Sequence, residues 1–277
     1  MSNEPVCAVM LCWNDSARVL ALMDALARLV PAPDRIIVVD NGSAGDHVAR
    51  LIAVHPRLTV IELGYNSGFA AAANRGIREA LGCGAGWVWL LNTDVELEKD
   101  TLASLVNVAR SDARCGMAAS LLVETGGEVQ ARGGGRVNLW TGSSRHVIAR
   151  GEPCHYLTGA CLLLRSSMLR EIGLFDEAYF FYWEDVDLGF RARKAGWTFA
   201  VADAPAVVHL EGSTLGRWSR ERWYHMFRGM KRFLFANAPL PRTALAVRLF
   251  HHSAAMLRHG RRDAIRGAWQ AALEPRR

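Results

Sequence analysis

The chain has 277 residues, the length of one large domain or of one domain with an appendage. Apolar residues make up 51% and charged residues 22%, which excludes bulk disorder, and no stretch approaches the ~20 apolar residues a membrane span needs. Charge is uneven: from His209 onward 14 Lys and Arg face 4 Asp and Glu, while residues 1–208 hold 19 basic and 23 acidic residues.

A mildly acidic body thus carries a basic, aromatic-rich tail. That asymmetry points to an anionic partner, a membrane surface or nucleic acid. Met1-Ser2-Asn3-Glu4-Pro5 lacks the basic and apolar regions of a secretory signal, so none is expected. The six cysteines form no CxxC pair. They are expected to be reduced thiols of a cytosolic protein, without a zinc site.

In chain order, residues 6–12 (VCAVMLC) read as a buried strand. Residues 16–30 show helical spacing at Val19, Leu22, Leu26 and Leu29, with Ser16 as a plausible cap and Pro31 and Pro33 as the stop. Ile36 to Val39 form a second strand, halted by Asp40-Asn41-Gly42-Ser43. Residues 58–63 are a third strand, 68–81 a helix, 87–91 a fourth strand and 99–110 a helix. This alternation predicts an α/β fold with a mainly parallel sheet, whose ligands bind along the carboxyl edge of the strands.

The second half is less regular. Residues 126–136 are a glycine-rich loop or hairpin, and 156–165 a buried strand. Residues 184–195 are a helix with an acidic start; 197–202 and 206–208 are short strands. From about 217 the spacing predicts two amphipathic helices, broken near Pro239 and Pro241. No GxGxxG follows the first strand and no GxxxxGK[ST] occurs, which argues against a nicotinamide enzyme and a phosphate-loop nucleotidase.

Four polar clusters stand at strand ends or helix starts. They are Asp40-Asn41-Gly42-Ser43; Asn66-Ser67-Gly68-Phe69 with Asn74 and Arg75; Asn92-Thr93-Asp94; and Glu184-Asp185-Val186-Asp187, with His209 further on. A lone carboxylate such as Asp94 after an apolar strand can hold a hard divalent cation, and His209 could complete the shell. Such a cation would neutralise a diphosphate leaving group. Glu184, Asp185 and Asp187 crowd one helix start. Their mutual repulsion should raise at least one pKa, making that group a candidate general base. Each cluster also has a plain structural reading as a turn, a cap or ordinary helix-start decoration. The coincidence of all four favours a site.

Taken together, these motifs resemble the family 2 glycosyltransferases, in particular bacterial rhamnosyltransferase-like members. The matching segments are Val38 to Ser43, Asn66 to Phe69 with Ala72 to Ile77, Leu90 to Asp94, Thr158 to Arg165, and Gly173 to Glu177 leading into Phe180 to Arg191. The last, FFYWEDVDLGFR, is the most specific. The resemblance covers roughly residues 5–235.

The resemblance implies a GT-A nucleotide-diphospho-sugar transferase fold, a mainly parallel sheet flanked by helices, and an inverting single-displacement sugar transfer. Asp40, Asn41, Asn66, Gly68, Asn74, Arg75, Asn92 and Thr93 would contact the nucleotide-sugar donor. Asp94 and His209 would hold Mg2+ or Mn2+, with Asn92 at the first acidic position of the family's metal motif. Asp185 would be the catalytic base, and Thr158, Gly159, Trp183 and Glu184 would face the acceptor. The expected division is a catalytic domain over 1–212, with a nucleotide-sugar half to about 98 and an acceptor half over 99–212, then a basic amphipathic helical tail over 213–277.

In the tail, Trp223, Phe227, Met230 and Leu234 fall at helical spacing among arginines and lysines, and residues 242–272 continue the theme with Arg248, Arg258, Arg261, Arg262 and Arg266. That pattern suits an anionic bilayer; the plain alternative is packing on the catalytic domain or a homo-oligomer interface. A glycan or polyprenyl-linked acceptor and peripheral attachment to the inner face of the plasma membrane are expected. Nucleic acid is not expected as a partner. dTDP-rhamnose is the favoured donor in cell-surface polysaccharide synthesis. A UDP-sugar enzyme of the same fold and a catalytically silent sugar-nucleotide or glycan-binding scaffold are the alternatives.

Overall fold

The structure, a computed structural model, describes residues 4–56, 58–210 and 216–275. The first half alternates strand and helix: β1 (Val6–Cys12), α1 (Ser16–Ala27), β2 (Arg35–Asp40), α2 (His47–Val54), β3 (Thr59–Glu62), α3 (Phe69–Gly82) and β4 (Trp87–Leu91). β5 (Val95–Glu96), α4 (Thr101–Arg110), β6 (Cys115–Val123), β7 (Val129–Arg132), β8 (Gly134–Asn138) and β9 (Ser143–His146) follow. Then come β10 (Tyr156–Leu157), β11 (Cys161–Arg165), α5 (Ser166–Ile172), α6 (Glu184–Lys194) and β12 (Thr198–His209). α7 (Arg220–Asn237), α8 (Pro241–Arg258) and α9 (Arg262–Leu273) complete the chain.

The main sheet has the order β3-β2-β1-β4-β11-β6-β12-β5, with β7 paired to β6. β3, β2, β1 and β4 run parallel. Cys12, Asp40, Glu62 and Leu91 therefore end at one edge. β11 enters antiparallel, with Cys161 opposite Leu91, so the chain before Cys161 reaches that same edge. Polar loops from five strands converge there because the strands themselves are apolar along their length.

The sheet buries a core on each face, as pleat alternation requires. Ala8, Met10, Trp87 and Trp89 pack under α1 and α4, while Cys7, Val9, Val88 and Leu90 pack under α3, α5 and α6. A third core holds the tail: Phe227, Met230, Phe233 and Leu234 of α7 meet Trp183, Tyr179 and Val186. α7 lies so close to the loop before α6 that a Cβ on Gly229 would come 2.5 Å from the Tyr182 carbonyl oxygen.

Several elements differ from the sequence reading. Asp15, not Ser16, caps α1, its carboxylate accepting from Arg18 N. The span 126–136 divides between two sheets, as β7 and β8. The single strand expected over 156–165 breaks at Thr158 into β10 and β11. The two strands expected over 197–208 are one, β12, with a bulge between Ala202 and Val207. The tail has three helices rather than two, since Gly260 adds a second break. The boundary expected at 212/213 lies outside the described residues.

Phe233 is fully buried and Leu273 largely exposed. Phe233→Ala is expected to cost about 3–5 kcal/mol and Leu273→Ser no more than ~0.5 kcal/mol, read by urea unfolding. Equal costs would mean that the tail helices lie outside the cooperative unit.

Candidate active site

The converging loops enclose a cavity of about 560 Å3, within the ordinary size of a small-molecule site. Its walls include Asn41, Asn66, Gly68, Asn92, Thr93, Asp94, Thr158, Gly159, Glu184, Asp185 and His209. Three clusters organise it.

The first is built on Asn41, just past β2. Its Nδ2 donates to Asn66 Oδ1 (3.1 Å) and to the Gly68 carbonyl (3.4 Å). Its Oδ1 accepts from Ser67 N and Ser67 Oγ, both at 2.9 Å. One buried amide thus ties the 66–68 turn to the end of β2. Gly68 has φ +84, a conformation glycine adopts freely, and it leads directly into α3.

The second cluster pairs Asp94 with His209. β5 and β12 pair with Val95 opposite His209, which brings His209 Nε2 to 3.5 Å from Asp94 Oδ1. His209 Nδ1 lies 2.8 Å from Gln130 Oε1. An amide oxygen only accepts, so Nδ1 carries the hydrogen and Nε2 is directed at Asp94. Burial opposes ionisation of Asp94, but the His209 imidazole outweighs it and holds the carboxyl below the usual range.

The third cluster opens α6. Tyr182 (φ 70) and Trp183 (φ 76) are consecutive left-handed residues, costly for side chains of this size. The turn is clamped from two sides. From α3, Phe69 N donates to the Phe180 carbonyl at 2.7 Å, and Asn74 Nδ2 donates to the Phe175 carbonyl at 2.9 Å while its Oδ1 accepts from Phe175 N at 3.0 Å. From α7, Met226 Sδ accepts from Trp183 Nε1 at 3.3 Å, and Phe233 packs on the Trp183 ring.

The turn delivers Glu184 and Asp185 to the cavity. Burial, then the Asp185 charge, push the Glu184 carboxyl well above the usual range, and its Oε2 is buried without a hydrogen-bond partner. Burial pushes Asp185 up to about 6, against N–H donation from Val186 and Gly159 and the nearby His146. Two adjacent carboxyls are thereby both biased toward the proton.

Four expected site residues do not line the cavity. Asp40 is buried beneath it, its Oδ2 accepting from Ser43 N at 3.1 Å and its Oδ1 unpartnered. Asn74 is committed to the 173–177 loop. Arg75 is exposed on α3. Trp183 is buried against α7. Conversely, Asp15, Arg18, Gln130, His146 and Glu221 line the cavity without having been singled out. Only Asp15 was legible as a candidate, lying in the polar run that ends β1.

A family model described as "Glycosyl transferase family 2" matches residues 7–173. The chain belongs to glycosyl transferase family 2. It is 30% identical to an N-acetylglucosaminyl-diphospho-decaprenol L-rhamnosyltransferase of Mycobacterium tuberculosis, over 77% of this chain and 78% of that protein. A low-salt glycan biosynthesis hexosyltransferase of Haloferax volcanii is 25% identical over 73% of this chain and 67% of that protein. Among solved structures, the mannosyltransferase PcManGT of Pyrobaculum calidifontis, in complex with GDP-Man and Mn2+, matches with TM-score 0.62 and 19% identity, covering 97% of this chain and 74% of that one. GalNAc-T7 with UDP, GalNAc and Mn2+ matches with TM-score 0.71 and 13% identity over 95% of this chain and 55% of that one. The protein is a glycosyltransferase with the GT-A fold, and its tail helices extend that fold.

Asn41→Ala removes four hydrogen bonds at once from this transferase. It is expected to lower stability by about 1–3 kcal/mol, measured by denaturant unfolding. A wild-type midpoint would show that the 66–68 turn holds itself.

Proposed function

We propose that the enzyme transfers a sugar, rhamnose from dTDP-rhamnose being the favoured donor, onto a lipid-linked glycan acceptor by inverting single displacement. The observation that carries this reading is one cavity holding two carboxylates with opposite bias. Asp94 is held ionised beside an imidazole, and Asp185 is pushed toward neutrality. Pairs of titratable groups driven apart in this way mark a division of acid–base labour.

In this reading Asp185 takes the proton from the acceptor hydroxyl as the hydroxyl oxygen attacks the donor's anomeric carbon. The bond from that carbon to the nucleoside diphosphate breaks, and the electron pair leaves with the diphosphate. Glu184, retaining its proton, donates a hydrogen bond to the bound sugar. Asn41, Asn66, Asn92 and Thr93 orient the donor.

A divalent cation, Mg2+ or Mn2+, fits the Asp94–His209 pair. His209 Nε2 and an Asp94 carboxylate oxygen face each other at 3.5 Å, two groups of the kind that bind such a cation. Among the described residues no third His, Cys, Asp or Glu completes a cluster. The pair therefore suits a hard cation that draws its remaining oxygens from the donor and water. When bound, that cation neutralises charge on the leaving diphosphate. Gln130 orients His209, as outer-shell partners of metal-binding imidazoles do.

The similarity to a transferase named for a diphospho-decaprenol acceptor supports a membrane-borne acceptor here, in cell-wall glycan synthesis. We infer that the enzyme works as a peripheral protein at the inner face of the plasma membrane. No helix among the described residues is long and apolar enough to cross a membrane.

Asp185→Asn is expected to abolish transfer while leaving nucleotide binding intact; parallel loss of both would remove Asp185 as the base. Since the base must be deprotonated, kcat/KM should rise with pH through about 6 and then level. His146 favours the charged form of Asp185, so His146→Ala should move that limb to higher pH.

Gln130→Leu should weaken Mn2+ binding about ten- to a hundredfold by calorimetry, with no change in melting temperature large enough to signal unfolding. Unaltered Mn2+ affinity would show that the amide does not orient the imidazole. Titration of dTDP, UDP and GDP with and without Mn2+ separates the donor classes. Preference for UDP would replace rhamnose with a UDP-sugar, and failure of folded protein to bind any of them would favour a silent scaffold.

A further inference from the structure

The expected bilayer contact covered both α7, through Trp223, Phe227, Met230 and Leu234, and the basic residues of 242–272; on α7 the last three are buried against the catalytic half and Trp223 packs on their cluster. The apolar face of α7 is used internally. The next two helices differ.

α8 and α9 are joined by three residues and form a helical hairpin. On α8, residues 246, 250, 253 and 257 recur at the i, i+4, i+7, i+11 spacing of a single face. Phe250 is 71% exposed and Leu257 65%. On α9, residues 262, 266, 269 and 273 repeat the same spacing. Leu273 is 75% exposed and Trp269 44%, alongside exposed Arg262 and Arg266. Trp269 Nε1 donates to Ser253 Oγ at 3.1 Å, which joins the two stripes side by side. The buried residues of both helices, such as Leu249 and Met256 on α8 and Ala264 and Ala268 on α9, lie on their other sides. The result is a continuous platform of large apolar side chains set among arginines.

We propose that this α8–α9 platform docks the enzyme on an anionic bilayer, with Phe250, Leu257, Trp269 and Leu273 entering the interface and Arg242, Arg258, Arg262 and Arg266 meeting lipid phosphates. The proposal rests on the membrane-borne acceptor argued above. Three observations select this occupant. Of the six arginines in residues 241–273, Arg242, Arg258, Arg262 and Arg266 are exposed around the platform, against one acidic residue, Asp263, so the face is complementary to anionic headgroups. A second copy docked through the same patch would set this positive charge against itself, since a two-fold interface pairs like with like. Nucleic acid would match the arginines but leave the apolar side chains between them uncovered.

The position of the platform also suits the chemistry. Its turn reaches the start of α7, where the Arg261 guanidinium lies 5.3 Å from the Trp218 ring centre. Glu221, one turn further, lines the cavity, and Arg222 lies over Tyr182, another wall residue. Docking by the hairpin sets the cavity mouth beside the headgroup layer, where the glycan of a lipid-linked acceptor emerges.

The test is flotation of the full-length enzyme with vesicles of phosphatidylcholine alone or mixed with phosphatidylglycerol. Wild type is compared with F250S/L257S/L273S and with R242Q/R262Q/R266Q. All substituted side chains are exposed, and melting temperature and nucleotide binding are followed as controls. Expected are binding of wild type to the anionic vesicles only, and at least tenfold weaker binding of both variants, with nucleotide affinity retained. Wild type that binds nucleotide but ignores anionic vesicles overturns the platform while leaving the transferase reading standing. Vesicle binding that survives the serine substitutions also overturns it. A concentration-dependent dimer dissolved by those same substitutions would assign the face to a second copy instead.

Discussion

The two left-handed residues before α6 are the constraint on which the site depends. Tyr182 and Trp183 each hold a backbone conformation that costs on the order of 1–3 kcal/mol. Without that turn, Glu184 and Asp185 would not open a helix at the cavity wall. The strain persists because the surroundings over-determine it: α3 holds the Phe175 and Phe180 backbone, and α7 receives the Trp183 ring. Arg232 adds a further tie, its guanidinium donating to Asp176 Oδ2 at 2.7 Å. The tail is therefore a structural requirement of the site. A side chain at Gly229 would press on the Tyr182 carbonyl, so even the spacing of α7 is set by the turn.

Electrostatics then separates two carboxylates that the sequence presents as equals. Asp94 and Asp185 are both partly desolvated, and burial alone would raise both. Asp94 escapes because the β5–β12 register brings an imidazole against it. Asp185 has only backbone N–H groups and a more distant His146 in compensation, while its neighbour Glu184 is a second acid. The fold thus decides which carboxyl keeps its proton to the higher pH. It does so through strand register on one side of the cavity and through a helix start on the other.

Much of this was legible in the residues. β1, β2 and β4 are short apolar runs, and their polar successors Asn41, Asn92 and Asp94 stand where parallel strands end. The acidic start of α6 was visible for the same reason. Other features left no local trace. β6 begins Cys-Gly-Met-Ala-Ala-Ser, poor in branched and aromatic residues, and is a strand because it is buried between β11 and β12. Gln130 and Glu221 are single polar residues whose roles come from tertiary contact with His209 and with the cavity mouth. Asn74 belongs to a recognisable motif, but no spacing shows that its amide is committed to the 173–177 loop. Helical periodicity in the tail identified an apolar face on α7 without saying what would cover it, and the answer was the protein itself.

The two ends of the proposed reaction are built by different physics. The donor side rests on the carboxyl edge of the parallel strands, where the Asn41 side chain makes its hydrogen bonds to residues 66–68. The base side rests on a strained turn whose second clamp comes from α7, whose Phe227 and Phe233 cluster also holds α8 and α9. The tail therefore bears directly on the placement of Asp185, and the turn it clamps also touches the Asn41 network, since Phe69 N, next to Gly68, donates to the Phe180 carbonyl. The hairpin proposed to meet the lipid therefore rests on α7, the helix that braces the turn carrying Asp185.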